Sequence, residues 1–254
     1  MFTDYRSKLV AAGYHLLASI VVVAAVSTLV MLVWYPDPLW RTSGGLSLLG
    51  LLAACDLVLG PLLTFIVFSL KKSRKELSFD LVIVIAIQIT ALTYGVWTVW
   101  QARPLYIVLE RDLFRVIRLT DLPEPLMTDI PAQFRSISLG SPATISLRKF
   151  SGLGEQLEAA ATEISGLPLS AQPKFWIPYN EGPDALRKAG KSLTEFKEKF
   201  PTEWVQTEAI LSRHHITADE VVYFPFVDRQ VYWTVFVRVL DGTHIGYLAV
   251  DPYS

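Results

Sequence analysis

Three long apolar blocks, at about residues 9–34, 46–70 and 79–101, constrain this chain more than any other feature. At about 1.5 Å of helix rise per residue, each is long enough to cross a hydrocarbon core of roughly 30 Å. With 52% hydrophobic residues and a mean hydropathy of +0.37, the chain is too apolar for an ordinary water-soluble domain, and the excess is concentrated in these blocks. After residue 102 the composition becomes that of a globular domain large enough for its own core. The reading is an integral membrane protein. Three N-terminal transmembrane α-helices fill residues 1–102, and a C-terminal α+β domain with an antiparallel sheet fills residues 103–254.

The first block exceeds the apolar core of a secretory signal and leads to no clear small-x-small cleavage site, so it reads as an uncleaved span. Orientation follows from the bases. Arg6 and Lys8 precede the first block, and Lys71, Lys72, Arg74 and Lys75 lie between the second and third, whereas the Pro- and Gly-rich loop 35–45 carries one charge of each sign. Short loops rich in Lys and Arg stay on the cytoplasmic side. Three spans that start inside place the C-terminal domain outside, in the periplasm of a diderm bacterium. Trp34, Tyr35, Trp40, Trp97 and Trp100 would then share the outer interface, where aromatic rings concentrate.

The second block holds a carboxylate within D-L-V-L-G-P-L-L-T, from Asp56 to Thr64. Pro61 has no N–H to offer the Leu57 carbonyl one turn back, and Gly60 eases a bend, so the helix is expected to kink and bare that carbonyl beside Asp56. Ser19, Asp56 and Gln88 each fall about ten residues into their blocks, near mid-bilayer. A charge there costs several kcal/mol without a partner and marks a functional site by default. His15 is the single base within reach of these depths. Its offset from Asp56 makes it read as an interfacial residue bonded to backbone or headgroups.

In the C-terminal part, Pro104–Glu110 and Leu113–Leu119 flank Arg111-Asp112 as a hairpin. Residues 121–148 are interrupted by prolines and show no clear period. Helices are expected at Leu153–Ile164, Asp184–Ala189, Leu193–Phe200 with Ser192 and Glu195 as a capping box, and from Pro201 to about His214. Three β-rich runs close the chain, Glu220–Val227, Gln230–Leu240 and His244–Val250, the last two joined by the hairpin signal Asp241-Gly242.

A net charge of −1 gives no reason to expect nucleic acid. Cys55 is the sole cysteine, which excludes an intrachain disulfide and a cysteine-built zinc site. No nucleophile–base pair, phosphate-binding glycine loop or metal motif is present, so neither enzymatic activity nor a cofactor is expected. His214 and His215 point about 100° apart on a helix and read as a C-terminal dipole pair, with a metal site shared with His244 as the lesser reading. Glu155, Glu158 and Glu163 read as a solvated helix face.

The segment Asp56–Thr64, the basic loop, the third block with Gln88, Tyr94-Gly95 and Trp97-Thr98, and the exit Gln101-Ala102-Arg103-Pro104-Leu105-Tyr106 resemble the type IV pilin accessory proteins of the TfpX/TfpZ family. The specific motifs lie between about residues 8 and 115, and the C-terminal part matches loosely. The resemblance implies a bacterial inner-membrane protein that binds a major type IV pilin and supports its assembly into pili. Its partners would be the pilin, through its transmembrane helix and globular head, and membrane lipid. It also implies that this pilin helix carries a buried carboxylate. Asp56, Leu57, Gly60, Pro61, Thr64 and Gln88 are then the candidate partner-binding residues. The competing reading is a membrane-anchored periplasmic sensor or binding domain unrelated to pili.

Overall fold

The computed structural model describes residues 2–135 and 140–254. Two compact units emerge, Met1–Arg103 and Pro104–Ser254. The first contains three helices long and apolar enough to cross a membrane, Asp4–Trp34, Gly45–Val67 and Arg74–Gln101. Three boundaries differ from expectation: the first helix starts about five residues before its apolar block, and the other two differ for a polar reason. The second helix stops at Val67 because Phe68 turns extended, after which the Ser69 hydroxyl and the Leu70 N–H donate to the Asp4 carboxylate at 3.4 and 2.9 Å. The third starts five residues before its apolar block because Ser73 and Glu76 form a reciprocal capping box, at 3.3 and 2.8 Å.

At the other end of the bundle the Tyr35 hydroxyl donates to the Val99 carbonyl at 3.1 Å, and the Arg103 guanidinium stacks 3.9 Å from the Trp100 ring centre. The first helix packs against Gly60–Val67, and that segment packs against the third helix. Leu17, Val21, Leu32, Leu51, Ile66 and Val82 point outward, while Ser19, Asp56 and Thr64 are buried. An apolar exterior around polar contacts is the arrangement that lipid solvates.

The second unit is a mixed sheet with helices on it. Its strands are β1 (Pro104–Glu110), β2 (Leu113–Arg118), β3 (Ala143–Leu147), β4 (Trp176–Pro178), β5 (Lys191–Ser192), β6 (Val221–Asp228), β7 (Val231–Arg238) and β8 (His244–Leu248). They run in the order β4-β3-β1-β2-β6-β7-β8, with β5 paired to β6. The expectation of an antiparallel sheet is corrected at two seams. β1 pairs β3 in parallel from Tyr106↔Ala143 to Leu109↔Ser146, and β2 pairs β6 in parallel at Phe114↔Phe226 and Arg115↔Val227. Tight turns force β1–β2 and β6–β7 antiparallel, with Arg111 and Arg229 at φ +56°. The long connections 119–142 and 119–220 impose no such limit.

Helices form at Leu153–Ile164, Pro183–Ala189, Leu193–Lys199 and Trp204–His214. Phe196, Leu211, Tyr223, Phe236 and Ile245 form one core where the last two helices cover β6–β8, and Tyr106, Ile117, Ile145 and Trp176 lie in another around β1. The acids of Leu153–Ile164 are paired rather than free: Glu155 with Arg148, Glu158 with Lys174 and Glu163 with Arg111, at 2.7, 2.7 and 2.8 Å. Across the β2–β6 seam the Arg118 guanidinium donates to Asp228, with both side chains buried.

Among the described residues no group of three or more His, Cys, Asp or Glu is placed to hold a metal ion. His244 instead lies against aromatic rings, its centroid 4.6 Å from Phe114 and 5.9 Å from Tyr247, with Nδ1 2.8 Å from the Tyr247 hydroxyl. Burial pushes its pKa from the ordinary 6.5 down to about 4. The unfolded chain therefore binds this proton more readily, so the stability His244 confers is complete above about pH 6.5 and is lost as pH falls toward 4. Urea unfolding of the full chain in detergent should show a loss between pH 7 and pH 4.5 that exceeds that of His244→Phe by roughly 2 to 3 kcal/mol. Equal losses in the two proteins would contradict this.

Candidate functional site

The second helix changes character where its sequence does. Residues Cys55–Leu59 form a π-turn between the α-helical segments Gly45–Ala54 and Gly60–Val67. A widened turn thus stands just ahead of Pro61, where the sequence leads one to expect a kink. Pro61 follows within one run of right-handed helical backbone, where its ring nitrogen cannot close a helical bond to a preceding carbonyl. A π-turn carries an extra residue per turn and recurs at functional sites. Here it holds Asp56, whose surface is 7% exposed.

Three helices converge below it. The Gln88 side chain lines the same groove as the Asp56 carboxylate. The Gln88 Oε1 accepts from His15 Nε2 at 2.5 Å, and the other ring nitrogen, Nδ1, meets the Thr64 hydroxyl. Because a carbonyl oxygen only accepts, Nε2 carries the proton and, in the neutral ring, Nδ1 accepts from Thr64. The result is a polar chain, Gln88–His15–Thr64 with Asp56 beside Gln88, drawn from all three helices. Gly60 makes the approach possible: a Cβ there would lie 2.1 Å from Gln88 Nε2 and 3.1 Å from His15 Nε2. Its φ is ordinary for a helix, so its role is to leave space.

Of the residues singled out from sequence, Asp56, Gln88 and Thr64 enter the chain through their side chains and Gly60 through the room it leaves. Leu57 and Pro61 act through the backbone, by shaping the turn. His15 is the correction, since it sits inside the bundle rather than at an interface. The offset from Asp56 is bridged by Gln88, and Thr64, about two turns beyond Asp56 on the second helix, meets His15 at its own level.

Two grooves open beside this chain. One, of about 200 Å³, runs between the first and third helices past Ala18, Ser19, Val22, Ile85 and Ile89. The other, of about 270 Å³, lies between the second and third helices beside Leu51, Cys55, Gly95, Thr98 and Val99. Asp56 lines both.

These features define a class: a bundle of three membrane-length helices with a polar cluster at its centre, followed by a mixed-sheet domain. A family profile described as fimbrial assembly protein FimB matches residues 3–44. Over 231 residues, 89% of each chain, the protein is 30% identical to the fimbrial assembly protein of serogroup I of Dichelobacter nodosus, and 29% identical over the same length to that of serogroup E1. A further relative, of serogroups C1 and C2, is 36% identical over 120 residues, 47% of this chain and 89% of the relative. The chain belongs to the fimbrial assembly protein family, a type IV pilus assembly accessory family, in line with the resemblance read from Asp56–Tyr106. No solved structure matches it.

Proposed function

We propose that this protein is a non-enzymatic accessory factor of the bacterial inner membrane that binds a major type IV pilin and promotes its stability or its assembly into pili. The observation that carries the reading is the polar chain from Asp56 to Thr64, with both ends buried, among three membrane-length helices in a member of a fimbrial assembly family. Lipid offers no hydrophobic drive for one helix to bind another, so helix recognition there depends on close packing and polar contacts. This bundle presents both. The basic segments at residues 6–8 and 71–75 support a cytoplasmic N-terminus and a periplasmic C-terminal domain.

That domain supplies the second contact in this reading. Its sheet ends in β4 on one side and β8 on the other, and an edge strand can take an extra strand or simply pack against a globular head. Two weak contacts on one chain raise effective concentration without tight binding at either, which suits a subunit that must later be released. The test has two arms. A phosphatase reporter fused after Ser254 should be active and one fused after Lys75 inactive. The tagged full-length protein should recover pilin from native membranes, and its deletion should lower surface piliation. A reversed reporter pattern, or unchanged piliation with no pilin recovered, would overturn the proposal.

A further inference from the structure

The two grooves share one wall. On the third helix Ile85, Ile89, Leu92, Gly95 and Val99 recur every three or four residues and so lie on a single face. That face extends for roughly 20 Å, at about 1.5 Å per residue, which is most of a hydrocarbon core. Small residues border it at Ala18, Ser19 and Gly95, which permits close backbone approach. Its polar point is Asp56, near the middle.

The internal contacts leave that carboxylate with capacity. Gln88 lies beside it in the groove, while the Gln88 carbonyl is engaged by His15 and the second His15 nitrogen by Thr64. An ionised carboxylate accepts about four hydrogen bonds. In lipid, the groups able to supply more are those of another helix.

Building on the assembly reading above, we propose that this crevice seats the transmembrane helix of the pilin, laid along the third helix with one hydrogen-bond donor against Asp56. The donor is a hydroxyl, an amide, an ammonium or a protonated carboxyl. Apolar walls with one acceptor at mid-depth match an apolar helix bearing one such group. A lipid acyl chain would fill the walls and leave the acceptor unmet.

The test is photo-crosslinking of the full-length protein in native membranes. A p-benzoylphenylalanine is placed at Ile89, which lines the groove, or at Ile87, equally exposed but about 200° away around the same helix. Crosslinking to pilin should be at least several-fold stronger from Ile89 than from Ile87, and Asp56→Leu should abolish the difference. Equal crosslinking from both positions, or adducts with lipid alone at Ile89, overturns the groove as the seat. If pilin still co-purifies in that case, the assembly reading stands; if pilin is never recovered, both fall.

Discussion

Replacing Asp228 with Ala should destabilise the C-terminal unit by about 3 to 5 kcal/mol, the cost of stranding one charge of a buried ion pair. Arg118 is 1% exposed and Asp228 is fully buried, so water cannot replace the lost partner. Asp121, 3.6 Å from Arg118 and about a third exposed, compensates only in part. The pair sits where β2 meets β6, a parallel seam with two registered residue pairs, and it joins strands far apart in sequence. A domain of this size is stable by about 5 to 15 kcal/mol, so the loss is a large fraction of the whole. Urea unfolding of the full-length protein in detergent, followed by the sheet signal in circular dichroism, measures it. The double variant Arg118→Met/Asp228→Leu should recover most of the loss, because apolar side chains of similar volume need no partner. A loss under about 1 kcal/mol for Asp228→Ala would mean that the ion pair does not hold the seam.

The second large effect is expected at Asp56. Replacement by Leu keeps the helix apolar and leaves the His15–Gln88 and His15–Thr64 contacts available, so the bundle should remain inserted. What disappears is the single acidic acceptor facing both grooves. Polar contacts between membrane helices contribute about 1 to 2 kcal/mol, or roughly 5- to 30-fold in affinity. Asp56→Asn retains an acceptor oxygen and should lose less.

Much of this organisation can be read from local sequence. Leu153–Ile164 is a helix at the residues its periodicity marks, and the hairpins at Arg111-Asp112 and Asp241-Gly242 form where turn chemistry demands them. What escapes is non-local. β3 is five residues in a proline-interrupted stretch, and it becomes a strand because β1 offers a parallel edge. The parallel β2–β6 seam depends on a partner about a hundred residues away, which no local pattern encodes. Within the helices, Asp56 and Gln88 stand out because a polar side chain deep in an apolar run is costly unless another helix brings it a partner. His15 does not, because its role depends on Gly60 leaving room and on Thr64 facing it from another helix. The early start of the third helix did have a signal, Ser-x-x-Glu at Ser73–Glu76, ahead of the apolar block.

Recognition of the pilin by the buried carboxylate of the bundle makes Asp56 the residue to vary. The most direct measurement is recovery of pilin with the tagged full-length protein from native membranes, comparing wild type, Asp56→Asn and Asp56→Leu at matched abundance. A graded fall is expected, with Asp56→Leu recovering the least pilin and surface piliation declining in the same order. Undiminished recovery with Asp56→Leu would contradict it and leave Asp56 as a residue that packs the helices of this protein against one another.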